Sequence, residues 1–223
     1  MNQQAICLNN VSKSYRKHQV LQNVTVSLAE GQIHGIIGRN GSGKTQMFKI
    51  IAGYVTPDQG EVTVFGQRIG HDVNHPASVG VLIETPGFLP SFSGLFNLQM
   101  LAAMNTHLSV KDLGAILEQV GLKDAANKKV GQYSLGMRQR LGIAQAMMDS
   151  PKLLILDEPF NGLDDAGVHE IRALIRSMRD KGTTILLSSH NAEDIAVLCD
   201  TVHKMESGCI REHYGDGHYS RER

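Results

Sequence analysis

The run Gly38-Arg39-Asn40-Gly41-Ser42-Gly43-Lys44-Thr45 matches the pattern GxxxxGK[ST]. Glycines so spaced let backbone N–H groups turn inward around phosphate oxygens, and a helix starting there aims its positive end at them. In such a loop Lys44 reaches the β- and γ-phosphates of a nucleoside triphosphate, and the Thr45 hydroxyl ligates Mg²⁺. The competing explanation is an accidental glycine-rich turn. The flanks speak against it: the apolar run Ile33–Ile37 reads as a strand, and Lys44–Ala52, with Met47, Phe48 and Ile51 on one side, reads as a helix closed by Gly53.

A second element is Leu153–Leu156, an apolar strand that ends in Asp157 and Glu158. Ligands of an open parallel sheet gather at the carboxyl ends of its strands. Asp157 is therefore expected beside the Mg²⁺ that Thr45 holds, and Glu158 beside the γ-phosphate, where a carboxylate orients and deprotonates an attacking water. Strands often end in exposed acids, so this pair gains its meaning from the loop upstream. His190 follows the strand Thr183–Ser189 and reaches the same sheet edge; only that position separates it from the other histidines. The segment Tyr133–Arg140 opens a helix that continues through Met148. Ser134 is a good N-cap, and Ser134 with Gly136 leaves N–H groups free to meet an anion. Standing alone, it would read as an ordinary capped helix with Arg138 and Arg140 on its solvated face.

The elements that must position these residues follow from periodicity. Val24, Val26 and Leu28 alternate with Thr25 and Ser27, and Val62 and Val64 alternate within Glu61–Phe65, so the first third reads as strands punctuated by Gly31, Pro57-Asp58 and Gly60. From about residue 88 to 150 the pattern turns helical. Leu113, Ile116, Leu117 and Val120 form a stripe, with Ser109 and Asp112 in capping-box positions and Gly121 closing the segment. Val168, Ile171, Ile175 and Met178 form another stripe between the strands Leu153–Leu156 and Thr183–Ser188, which makes those strands parallel. The end, Gly215–Arg223, is polar and expected to fray.

Bulk properties narrow the function classes. The 223 residues suit one large α/β domain with room for an inserted subdomain, and 41% apolar residues supply a core. Lys plus Arg and Asp plus Glu number 22 each, a balance that argues against nucleic acid as the partner. The scattered Cys7, Cys199 and Cys209 form no CxxC pair, as in a reducing cytosol. Met1–Asn10 lacks the pattern of a signal peptide, and no apolar run exceeds Met100–Met104 or Ile195–Cys199, against the roughly 20 residues of a membrane span.

Taken in order and spacing, the phosphate loop, Ser134-Leu135-Gly136-Met137, Leu153–Glu158, Asn161-Gly162-Leu163-Asp164 and His190 resemble an ABC transporter ATP-binding subunit, from Tyr15 to about Ile210. The resemblance implies a P-loop NTPase core of RecA-like α/β type with an N-terminal antiparallel β subdomain and an inserted α-helical subdomain. One ATPase domain would span 1–223, with 1–86 and 151–223 as core plus β subdomain and 87–150 as the helical part. It further implies that Tyr15 stacks on adenine, that Asp164 communicates across a dimer, and that His190 is the switch histidine at the γ-phosphate. Two protomers, identical or paralogous, would sandwich two ATP molecules, each between Lys44 of one and Ser134 with Gly136 of the other. Lys44, Glu158 and His190 would be the catalytic set. A separate integral-membrane permease would be the driven partner, which places the subunit on the cytoplasmic face of the membrane.

Two departures from the family pattern carry information. Its usual Mg²⁺-ligating glutamine is matched by Glu84, which keeps the oxygen ligand and adds negative charge, so Thr45, Glu84 and Asp157 are the metal-ligand candidates. Leu135 and Met137 stand where glycine and glutamine are common. Glu84 together with Tyr133–Leu141 resembles the subgroup linked to bacitracin and lantibiotic export or immunity. Against this stand a soluble ABC-type ATPase acting on DNA or ribosomes, a P-loop kinase or GTPase switch, and a regulatory nucleotide binder. A single motif set, neutral charge and no long heptad stretch argue against the first, Tyr15 and the Ser134 segment against the second, and Glu158 with His190 against the third.

Overall fold

The computed structural model describes residues 3–84, 87–105 and 108–215. Of the expected frayed end 215–223 all but Gly215 lies outside that set, as does residue 86 at the expected 86/87 subdomain boundary. The chain starts with β1 (Gln4–Tyr15), β2 (His18–Ala29) and β3 (Ile33–Ile37), followed by α1 (Lys44–Ile51), β4 (Gln59–Val64), β5 (Gln67–Arg68) and β6 (Val79–Leu82). Next come helices α2 (Gly94–Asn105), α3 (Val110–Gln119) and α4 (Leu135–Met147). The chain returns through β7 (Leu153–Asp157), α5 (Asp165–Asp180), β8 (Thr184–Ser188), α6 (Ala192–Leu198), β9 (Thr201–Glu206) and β10 (Cys209–Gly215).

Two sheets result. One is antiparallel, in the order β2-β1-β4-β5; the other runs β10-β9-β3-β8-β7-β6, parallel throughout except for β10. The alternation expected of Val24–Leu28 appears as burial: Val24, Val26 and Leu28 are inside, Thr25 and Ser27 outside. The central strands β7 and β8 carry the unbroken apolar runs Leu153–Leu156 and Ile185–Leu187 because both of their faces are covered. Leu154, Leu156, Ile185 and Leu187 face the core shared with the helices, whereas Leu153, Ile155 and Leu186 face the core shared with α1 and the antiparallel sheet. The Ser109–Asp112 capping box starts α3, with each side chain bonded to the other residue's N–H. β7 extends one residue past the expected Leu156, because Asp157 pairs in register with Ser188 of β8. That pairing sets the first carboxylate at the sheet's edge.

A histidine cluster lies under the loop-bearing strand β3. His34 is buried between Thr201 Oγ1 at 2.7 Å and the Ala29 carbonyl at 2.8 Å. His203 is buried beside it, with its Nδ1 3.2 Å from His213 Nδ1. Burial first, then the neighbouring His213 and His34, push the His203 pKa down to about 3. Burial also holds His34 below its usual range. An unfolded chain takes up a proton near pH 6.5 that folded His203 refuses, so its stabilising contribution is complete above that pH and lost as pH falls toward 3. We expect this residue alone to remove about 3 kcal/mol of stability by about pH 4. Urea unfolding midpoints measured against pH, compared with those of His203→Gln, check this; an equal acid slope in both proteins would contradict it.

Candidate nucleotide site

The phosphate loop is built from close approach. Gly43 adopts φ 107°, and a Cβ there would lie 2.9 Å from the Val20 carbonyl oxygen, so no larger residue fits between this loop and β2. α1 starts at the next residue. Lys44 is 7% exposed, and its ammonium donates to the carbonyls of Gly38 at 2.7 Å and Arg39 at 3.3 Å. Among the described residues no carboxylate forms a salt bridge with it. Ser42 Oγ and Gln46 Nε2 are likewise buried, with no hydrogen-bond partner among the described residues. A buried cation without an anion and two orphaned polar atoms fit a phosphate chain.

Opposite the loop stand the carboxylates. Thr45 Oγ1 donates to Asp157 Oδ2 at 2.5 Å, and Ser188 Oγ donates to Asp157 Oδ1 at 2.5 Å. The same Ser188 hydroxyl accepts the N–H of Glu158 at 2.9 Å. Glu158 Oε2 accepts from His190 twice, from its backbone N–H at 3.2 Å and from its Nδ1 at 2.8 Å. Sequence spacing placed His190 at the sheet edge; the fold brings it onto Glu158. Glu84 Oε1 is held by Lys49 Nζ at 2.5 Å. Asn40–Gln46, Lys49, Glu84, Asp157 and Glu158 enclose one cleft of ≈ 420 Å³, and His190 lines an adjoining one with Gly38–Ser42. Glu84 and Glu158 both adopt left-handed backbone, φ 60° and φ 52°, a strained conformation for a non-glycine residue and one that collects at functional sites.

Four candidate residues lie outside the lining of that cleft. Ser134 caps α4, its Oγ accepting the Met137 N–H at 3.2 Å, and neither Ser134 nor Gly136 lines the cleft. Gly136 packs instead against the loop before Asp164, where a Cβ would come within 2.6 Å of the Gly162 carbonyl oxygen. Asp164 caps α5 by accepting the Gly167 N–H at 2.9 Å. Tyr15, 47% exposed at the end of β1, donates to Gln46 Oε1 at 3.2 Å. Spacing missed Ser188, Gln46, Lys49 and Gln139, whose Nε2 donates to the Glu158 carbonyl at 3.0 Å. Ser188, Gln46 and Lys49 belong to no chemistry-bearing pattern, and Gln139, although it lies in the Tyr133–Arg140 segment, has no spacing that ties it to Glu158.

Fold and cleft together define a nucleotide-binding P-loop NTPase, and the chain belongs to the ABC transporter family, whose sequence model matches residues 21–161. Its relatives include the bacitracin transport ATP-binding protein BcrA of Enterococcus faecalis, 40% identical over 91% of this chain and 67% of the relative. The lantibiotic transport ATP-binding protein SrtF of Streptococcus pyogenes is 36% identical over 91% of this chain and 87% of the relative. Among solved structures, an ATP-binding subunit of an ABC transporter superposes with a TM-score of 0.84 at 27% identity, covering 95% of this chain and 90% of that one.

Proposed function

We propose that this ATP-binding subunit hydrolyses Mg-ATP between two protomers and transmits the resulting separation to a membrane permease that exports a peptide antibiotic or similar amphipathic compound. The observation that carries the hydrolysis is the Glu158–His190 pair, set on a strand end beside a phosphate loop whose lysine lacks an anion. Mg²⁺, once bound, neutralises phosphate charge. Thr45 and Asp157, already in contact, and Glu84 from across the cleft would hold it. Lys44 and the loop N–H groups fix the β- and γ-phosphates, Glu158 accepts the proton of the attacking water, and His190 holds that carboxylate in place. Tyr15 offers an exposed ring for adenine. Ser134 and Gly136 start a helix outside the cleft that Lys44 lines, the arrangement expected if they complete the partner's site.

Residues 1–86 and 151–223 then form the nucleotide-binding core, and 87–150 the helical part carrying the Ser134 turn. Among the described residues no helix is long and apolar enough to cross a membrane, so attachment to the cytoplasmic face would run through the permease. The names of the bacitracin and lantibiotic relatives support the cargo class. Cells lacking this subunit and its permease should show a loss of resistance of about fourfold or more to one of these peptide classes. Minimum inhibitory concentrations across bacitracin and a lantibiotic panel measure it, and unchanged values throughout would remove this cargo.

A further inference from the structure

We infer that Arg172 is a positioning residue for hydrolysis: through Asp194 and Ser189 it fixes the backbone that presents His190 to Glu158. The inference rests on the roles proposed above for Glu158 and His190. The His190 side chain is 71% exposed, so packing does not orient it. Its placement comes from its backbone and from Glu158. That backbone is clasped on both sides. Ser189 Oγ accepts the Asn191 N–H at 3.1 Å and donates to Asp194 Oδ2 at 2.7 Å. Asp194 is buried, and its other oxygen, Oδ1, accepts from Arg172 Nε at 3.0 Å and Nη2 at 2.5 Å. Arg172 Nη1 reaches Glu193 at 3.0 Å.

The arginine is buried on α5, a helix that begins where Asp164 caps it. Asp164 and Arg172 are eight positions apart, roughly 12 Å along one rigid helix. A shift of the Asn161–Asp164 loop against a partner protomer therefore moves Arg172, and Arg172 moves the Ser189–Asn191 turn through two buried hydrogen-bonded groups. A buried ion pair is a poor choice for stability alone, because apolar residues of similar volume hold two helices at least as well. What they cannot do is grip the Ser189 hydroxyl.

Two variants test this. Arg172→Met with Asp194→Leu removes both charges together, so no buried charge is left unpaired, and it severs the link to Ser189. Ser189→Ala cuts the link and leaves the ion pair intact. In both proteins kcat for ATP should fall about tenfold or more while KM and the affinity for a fluorescent ATP analogue stay within about twofold. Amide exchange at residues 189–191 of the nucleotide-free protein should accelerate about tenfold or more, with the exchange of β7 unchanged. Glu158→Gln is measured alongside. If it abolishes hydrolysis while both link variants keep wild-type kcat and wild-type exchange at 189–191, Arg172 does not position His190. If Glu158→Gln itself hydrolyses normally, the reading of the site fails, and the exchange data alone then decide whether the clasp exists.

Discussion

Replacing Glu158 by Gln lowers steady-state ATP hydrolysis by roughly 10²-fold or more while ATP still binds. The substitution preserves shape and removes one chemical capacity. The backbone at residue 158 is fixed from both ends in a left-handed conformation: its N–H meets Ser188 Oγ and its carbonyl meets Gln139 Nε2. A glutamine seated there keeps an oxygen for the two His190 contacts. It cannot take a proton from water. A hundredfold loss corresponds to about 2.7 kcal/mol of transition-state stabilisation, within the range for one general base. Phosphate release gives the rate, and equilibrium binding of a fluorescent ATP analogue gives the affinity. A variant that turns over near the normal rate would remove Glu158 from the role of base.

What could be read along the chain was whatever the chain writes locally. The phosphate loop is contiguous, Asp157 and Glu158 terminate one strand, and the Ser109–Asp112 and Ser134–Met137 caps each close within three residues. Alternating burial in β2 and the apolar runs of β7 and β8 follow from which faces are covered. Contacts made by folding over long separations leave no such trace. Ser188 bridges Asp157 and the Glu158 amide from 30 or 31 positions away. Lys49 captures Glu84 across 35. The Glu84 position was legible as a departure from a family pattern, but its lysine was not. The extra negative charge noted beside the phosphates is matched by a cation on α1, with side chains 65% and 29% exposed. An ion pair so open to solvent is weak and readily exchanged, so Lys49 does not hold Glu84 firmly.

Mixing two inactive proteins should restore activity, and this outcome separates a shared site from a self-contained one. Ser134 and Gly136 lie outside the cleft that Lys44 shares with Asp157 and Glu158. If the Ser134 turn completes the site of a second protomer, each ATP needs Lys44 from one chain and Ser134 from the other. Lys44→Ala leaves the phosphates without their buried cation, and Ser134→Arg fills the helix start that should meet them; each homodimer should lose roughly 10²-fold in hydrolysis or more. A dimer of one chain of each kind carries both defects in one site and none in the other. An equimolar mixture should therefore exceed the summed rates of its components by about tenfold or more. The reciprocal arrangement predicts the opposite. A chain carrying both substitutions, added to the wild type, damages both sites of every mixed dimer, so the wild-type rate should fall beyond simple dilution. Phosphate release from the two mixtures, after exchange of protomers has reached completion, gives both readings. If each chain held a complete site, the first mixture would stay inactive and the second would only dilute. Either result would return Ser134 to the plainer part of a helix cap, whereas rescue in the first and loss in the second would assign it to the partner's nucleotide.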